Sequence, residues 1–445
     1  MGTPTADAAA PETSRTRPAV PRGYPWLVFA LSFGLLLSDY MSRQVLNAVF
    51  PMLKAEWLLS DAQLGSLSGI VALMVGLLTF PLSLVADRWG RVRSLVAAAV
   101  VWSLATLGCA ISASYGEMFL GRFMVGVGEA AYGSVGIAVV LSVFPVRLRA
   151  TLSGAFIAGG SFGSVLGVAV GGAIAQAHGW RWAFGAMGFL GLALAAVYAV
   201  LITERRLAAA ARVHAPGTGP SERAALRTLL PRLFSSVSVA CAYVGSGLQM
   251  FIAMALLAWT PSFFHRYYGL ETADAGIAAG ALAMLGGTGM ILGGIVADRL
   301  SRNAAVRKWT VAVTCSLASF VLLMTGFHLP TGPAQVVLIA LGSLVASGTA
   351  GPAAAMVANL TPPAVAATAM ATLTLANSLL GLAPGPAVTG MLADRTGLLG
   401  ALQVIPWVAV LSGAAFALGK ATYPRDLRRL GLLPDTALVP PEPRT

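Results

Sequence analysis

The chain has 445 residues, 57% of them hydrophobic and only 10% charged, with a mean hydropathy of +0.78. No soluble domain hides that much apolar surface, so a water-soluble enzyme or binding module is excluded and an integral membrane protein is indicated. The net charge of +12 would suit nucleic acid, but 23 of the 29 Lys and Arg lie on one side of the apolar runs, four (Lys54, Arg181, Arg266, Arg395) on the other, and two inside them. That is the positive-inside asymmetry; it puts both termini in the cytoplasm and implies no nucleic-acid partner.

Residues 1–22, rich in Pro, Ala and Thr and lacking an apolar core, read as a disordered cytoplasmic tail and not as a cleaved signal. About twelve apolar runs follow, each near the roughly 20 residues needed to span a hydrocarbon core of about 30 Å. The first six lie near 24–50, 64–86, 94–113, 118–144, 152–177 and 182–202. Residues 204–232 carry six basic residues and a PGTGP turn signal, and read as a cytoplasmic linker. Six more runs follow near 233–261, 275–297, 309–327, 334–358, 365–392 and 399–419, and 421–445 form a second cytoplasmic tail. Fifty glycines suit helices that pack closely in lipid. Cys109, Cys241 and Cys315 each sit inside an apolar run with no paired spacing, as small core residues.

The two sets of six are copies. LVADRWGRVR, 84–93, returns as IVADRLSR, 295–302. Pro51 matches Pro261 at an offset of 210, and Gly65 matches Gly276 and Asp87 matches Asp298 at 211. Gly163, Gly167 and Gly172 match Gly381, Gly385 and Gly390 at 218. Such constancy predicts an all-α membrane protein of twelve transmembrane helices in two pseudo-symmetric six-helix bundles, 23–203 and 233–420, in parallel orientation.

The repeated turn has readable chemistry. Asp87 follows the last apolar turn of its run, where it can accept from Arg88, Arg91 or a neighbouring helix start, and Gly90 permits a tight reversal. The blander alternative is a solvated turn that only orients spans by charge. The stretch from Ser83 to Arg93, S-x-x-x-D-R-x-G-R-x-R, resembles the cytoplasmic signature of the major facilitator superfamily, with Ser83 where that family usually has Gly. The resemblance implies the major facilitator fold and a cytoplasmic gate at Asp87, Arg88, Gly90, Arg91, Asp298 and Arg299 that latches the two bundles.

Further resemblance lies in the fourth run. Arg122 to Gly128, R-x-x-x-G-x-G, is similar to another signature of the superfamily, whose Arg is linked to proton movement in many members. The continuation Glu129-Ala-Ala-Tyr132 resembles the spinster-like branch, and Asp39-Tyr40-Met-Ser-Arg43 is similar to the N-Y-x-D-R of that branch and of anion:cation symporters. Here the acid usually beside the Arg is Ser42, and Asp39 stands one turn earlier. In the fifth run, Gly154, Gly163, Gly167, Gly171 and Gly172 follow an antiporter spacing, with Val168 in place of its Pro; close helix packing asks for the same glycines.

An ionisable side chain within a span costs about 2.5–3.5 kcal/mol on insertion scales and by default marks function. Asp39, Arg43, Arg122 and Glu129 are the four that lie well inside, two acids and two bases. Asp39 and Arg43 share a helical face at i, i+4, and Arg122 and Glu129 share one at i, i+7. At 1.5 Å per residue Asp39 and Arg122 fall about 10 Å from the outer surface, with Glu129 deeper. Their expected role is proton coupling and substrate binding; the alternative is a buried structural ion-pair network. Asp39 maps onto Gln249 and Arg43 onto Ala253, so ionic chemistry belongs to the first bundle. Tyr40, Tyr132, Tyr243, Gln249, Asn377 and also Trp259 are weaker candidates for cavity lining, with packing or an interfacial aromatic belt as the alternative.

The resemblance therefore implies a secondary active transporter in the cytoplasmic membrane, working by alternating access and coupled to protons or another cation. Its implied cargo is an amphipathic lipid-like molecule of lysophospholipid or sphingoid type; an organic-anion symporter or a drug/proton antiporter is the alternative. The expected partners are that small molecule or lipid and the surrounding membrane lipids, with the chain a monomer. A channel would want a ring of like polar residues, whereas polarity here is lopsided. His178, His214, His265 and His328 have no metal-ligand spacing, and no nucleophile–base set is visible, so no enzyme activity, metal or cofactor is expected.

Overall fold

The computed structural model describes residues 23–207, 236–302, 304–361 and 366–429, and these are almost entirely helical. The first set of spans is α1 (Tyr24–Trp57), α2 (Asp61–Trp89), α3 (Arg91–Ile111), a fourth span broken at Ala131 into α4 (Tyr115–Ala130) and α5 (Tyr132–Ser142), α6 (Val146–His178) and α7 (Trp180–Leu201). The second set is α8 (Val237–Tyr268), α9 (Thr272–Leu300), α10 (Arg307–His328), a tenth span broken into α11 (Pro333–Ser347) and α12 (Ala350–Asn359), then α13 (Ala366–Asn377), α14 (Pro384–Val404) and α15 (Trp407–Arg429). A five-residue π turn, Ser378–Leu382, joins α13 to α14. Most of the linker and both tails lie outside the described residues.

Ten of the described helices are long and apolar enough to cross a membrane, and the bent pair Thr368–Val404 with Trp407–Arg428 makes an eleventh. That pair is two passes. Gly247 and Phe251 of α8 lie against Gly381 and Gly385, so the chain before Gly397 runs parallel to α8. Gly245 and Cys241 lie against Phe416 and Gly419, so the chain after it runs antiparallel. Gly397 makes the reversal at φ +77, a left-handed conformation that favours glycine.

The ends of the helices are written into the sequence. Ser60 and Gln63 form a reciprocal capping box that starts α2. Gly90, at φ +109, turns α2 into α3, and a side chain there would meet the Glu204 carboxylate at 2.6 Å. Pro51 and Pro261 stand at matching places in α1 and α8.

The two bundles close on each other at the end remote from the termini, through duplicated contacts. Gly65 of α2 lies against the Pro386 carbonyl of α14, and its counterpart Gly276 of α9 lies against the Val168 carbonyl of α6. Gly390 meets the Asp61 carbonyl, and its counterpart Gly172 meets that of Thr272. Both members of each contact obey the offsets of 211 and 218, so one pseudo-twofold packing is used twice. The absence of a Cβ lets these backbones touch, the device expected where helices pack in lipid. At the terminal end, α5 and α12 make their principal contacts within their own bundles.

Candidate functional site

Arg43 of α1 and Glu129 of α4 form a buried ion pair. The guanidinium donates through Nε to Oε2 at 2.9 Å and through Nη2 to the same oxygen. The Arg43 side chain is 13% exposed and that of Glu129 only 1%, so the basic member is the more accessible of the two. Helical side chains tilt toward their own N-terminus, so Arg43 reaches back along α1 to the deeper level of Glu129.

Glycines fix where Glu129 stands. Gly126 lies against Val71 and Met74 of α2, and Gly128 lies against Trp102 of α3, with Cβ positions 2.6–3.0 Å from those neighbours. The R-x-x-x-G-x-G pattern thus seats α4 tightly on two helices and turns the next residue toward α1. The helix breaks two residues later, and Tyr132 donates its hydroxyl to the Ser32 carbonyl of α1 while its ring meets Trp102 edge-on at 5.1 Å.

Arg122 does a different job. It is fully buried and donates to the carbonyls of Ser42 and Arg43, each at 3.0 Å, and to that of Leu67 at 3.4 Å. Among the described residues it meets no carboxylate, and it ties α1, α2 and α4 by backbone alone. The sequence placed Asp39 and Arg43 on one helical face and Arg122 and Glu129 on another, without saying which of them pair. The observed pair crosses between helices, because rotation and register of packed helices outweigh spacing along one of them.

Asp39 completes the cluster. It is 5% exposed, and Glu129 and Arg43 are its charged neighbours. Its Oδ1 and the Oε1 of Glu129 are both buried without a hydrogen-bond partner. Two neighbouring buried carboxylates, each with an orphan oxygen, repel each other while both are charged. Tyr40 lies under the cluster, its ring 5.4 Å from the Arg43 guanidinium carbon and held by Gly160 and Gly163 of α6. The hydroxyl of Ser42, where the family usually has the acid, donates to the Ser38 carbonyl.

The candidates of the second bundle separate. Tyr243 donates to the Ala369 carbonyl, and Gln249, fully buried, donates to Ser316 Oγ at 2.8 Å, so Gln249 faces the bundle's own interior. Trp259 belongs to the seam: it donates to the Pro386 carbonyl and packs on Phe50 at 5.2 Å. Asn377 stands directly before the π turn with its Oδ1 buried and unpartnered. A cavity of about 160 Å³ between α6, α8, α9 and α11 is lined by Met250, Met254, Leu257 and Met290, with Ser161 and Ser164 at its edge.

Among the described residues, the signature turns at the terminal end form no ion pair between the bundles. Glu204 accepts from the backbone N–H of Val92 at 2.8 Å and of Arg93 at 3.4 Å, capping α3 from its own bundle. Arg88, Arg91, Asp298 and Arg299 are exposed, and Asp298 meets Lys308 of its own bundle at 3.4 Å. The Asp87 side chain lies outside the described positions.

The ionic bridge lies at the other end, in residues that sequence reasoning missed. Asp61 accepts from Arg266 of α8 at 2.8 and 2.6 Å and from Lys54 at 2.6 Å. Asp394 accepts from the backbone N–H of Asp61 and Ala62 at 2.7 and 2.9 Å, capping α2 across the seam. A signal was present: Ala393-Asp394-Arg395 is a third A-D-R triplet, and Lys54 and Arg266 are two of the four bases on the charge-poor side.

Among the described residues, apolar passes in two duplicated bundles, closed at one end and holding an ion pair and an orphan acid between α1 and α4, define a membrane transporter of the two-bundle class. The chain belongs to the Major Facilitator Superfamily, whose family model matches residues 32–386. It is thus a multi-pass secondary transporter, of a family that is not an enzyme class. The chain is similar to the hexuronate transporter of Bacillus subtilis, at 24% identity over 89% of this chain and 96% of the relative. It is also similar to protein spinster homolog 1 of Xenopus laevis, at 25% identity over 92% of this chain and 84% of the relative. Among solved structures, a bacterial homolog of the human lysosomal transporter spinster, in an inward-facing and unoccupied conformation, superposes with a TM-score of 0.83. That match has 21% identity and covers 91% of this chain and 98% of the other. The resemblance to the spinster-like branch read from the G-x-G-E-A-A-Y stretch is thereby borne out.

Proposed function

We propose that the chain moves an amphipathic lipid-like substrate, of lysophospholipid or sphingoid type, across the cytoplasmic membrane by proton-coupled alternating access, with both termini cytoplasmic. The observation that carries this reading is the Arg43–Glu129 pair with Asp39 beside it. Uptake of one proton by the two carboxylates satisfies both orphan oxygens and weakens the hold of Glu129 on Arg43. The freed guanidinium then takes a phosphate or another anionic group of the substrate head. A ligand shifts such an equilibrium only by binding one state better than the other, and only one protonation state of this site offers a free cation.

Several features support a lipid over a sugar acid. Arg122 is fully engaged by carbonyls, which leaves one guanidinium and no two-arginine clamp for a carboxylate. The Met-lined cavity between α6 and the second bundle is mostly apolar, as a hydrocarbon chain requires. The named function of the hexuronate relative favours an organic anion as the second reading. In that case Arg43 would exchange Glu129 for the substrate's carboxylate.

The test is transport in proteoliposomes with an imposed proton gradient, using lysophosphatidylethanolamine, sphingosine 1-phosphate and glucuronate as separate cargoes. Gradient-driven movement of a lipid, lost in Glu129→Gln while exchange at equal pH persists, is the expected result. Unchanged coupling in Glu129→Gln would sink the proton assignment, and movement of glucuronate alone would sink the lipid one.

A further inference from the structure

A second place in the fold has the make-up of a binding site and takes no part in the one above. A groove of about 650 Å³ lies between α3 and α7 at the terminal end of the first bundle. Its mouth carries Trp89, Arg93 and Arg205, and its floor runs along Val96, Val100 and Ala199. Arg93, Val96 and Val100 recur at helical spacing on one face of α3, so the groove passes from guanidinium to hydrocarbon in about 10 Å. The small side chain of Ala199 leaves the space open on the α7 side.

The charges of the groove are unequal. Glu204 also lines it, but its carboxylate accepts from the backbone N–H of Val92 and Arg93 and is set against the positive end of α3. Neither Arg93 nor Arg205 forms an ion pair among the described residues. Trp89 is 56% exposed beside them, at the depth where tryptophan marks the boundary between head groups and acyl chains. Two unpaired cations at a rim, an interfacial indole and an apolar trough leading into the bilayer complement one ligand: a phosphate joined to acyl chains.

We propose that this groove binds an anionic diacyl phospholipid of the leaflet at the terminal end, with the phosphate between Arg93 and Arg205 and one acyl chain along Val96 and Val100. The lipid is a bound partner, not cargo, because the groove opens on the outer face of the first bundle, away from the Arg43–Glu129 site. It braces the α2–α3 turn against the end of α7, the same junction that Glu204 caps.

Native mass spectrometry of the intact protein in mild detergent tests this, with dioleoylphosphatidylglycerol, dioleoylphosphatidylcholine and glycerol 3-phosphate as probes. The expected result is retention of phosphatidylglycerol over phosphatidylcholine by roughly tenfold, because phosphatidylglycerol carries a net negative charge near both arginines that the choline of phosphatidylcholine cancels. The preference is lost in Arg93→Gln/Arg205→Gln and kept in Arg302→Gln/Arg425→Gln, which removes equal charge elsewhere. Val96→Trp, which fills the floor and leaves both arginines, also loses it. Equal binding of the two lipids, or equal loss in the two double variants, would overturn the proposal. Displacement of phosphatidylglycerol by glycerol 3-phosphate at similar concentration, or its retention in Val96→Trp, would overturn the lipid as occupant in favour of a soluble phosphate. None of these outcomes depends on transport.

Discussion

Arg266 of α8 grips Asp61 of α2 with both terminal nitrogens, at 2.8 and 2.6 Å, and so joins the two bundles at the end where they are closed. The Asp61 side chain is 4% exposed, and removing one partner from such a charge pair costs about 2–5 kcal/mol. Asp61→Asn is therefore expected to favour opening at this end. In a background lacking Cys109, Cys241 and Cys315, Thr272→Cys in the seam should be alkylated by a membrane-impermeant maleimide several-fold faster when Asp61→Asn is added. An unchanged rate would remove the bridge from the closing mechanism.

The duplicated glycines make a second, sharper expectation. A Cβ at Gly276 would stand 2.7 Å from the Val168 carbonyl oxygen, closer than real contacts allow, and Gly65 faces Pro386 more tightly still. Gly276→Ala and Gly65→Ala should each push the bundles apart and raise labelling of Thr272→Cys. The two should match in direction, because the same contact is used twice. Opposite signs would break the pseudo-twofold account of the seam.

Arg122 and Glu129 should fail in different ways. Lysine is a point donor and cannot span the three carbonyls that Arg122 holds, so Arg122→Lys is expected to lower the Tm of the purified protein by several degrees. Asp39→Asn leaves the Arg43–Glu129 pair and should change Tm little, while abolishing the dependence of transport on a pH gradient. A stability loss in Asp39→Asn as large as that in Arg122→Lys would mark the whole cluster as structural.

Gln249 and Asn377 invite the same comparison in the second bundle. Gln249 is fully buried and hydrogen-bonded to Ser316 inside its own bundle, so Gln249→Ala empties a packed site there and should cost about 0.5–3 kcal/mol of stability. Asn377, at a π turn and with a free carbonyl oxygen, should affect substrate instead: Asn377→Ala is expected to raise the apparent KM with little change in Tm. Thermal unfolding and uptake kinetics on both variants check this, and a reversed pattern would exchange their roles.

Much of this protein is legible without coordinates. Composition demands a bilayer, the thickness of the hydrocarbon sets the length of each pass, and constant offsets between Pro51 and Pro261 or Gly65 and Gly276 reveal the duplication. The cost of burying charge also singles out Asp39, Arg43, Arg122 and Glu129, whatever surrounds them. Spacing along one helix could not say which of them pair. That depends on how α1, α2 and α4 are rotated and staggered, which glycines such as Gly126 and Gly128 decide by how closely they let the backbones approach. So tertiary structure alone gave Glu129 to Arg43, set Arg122 on three carbonyls, and brought Asp61, Arg266 and Asp394 together across 333 residues of chain.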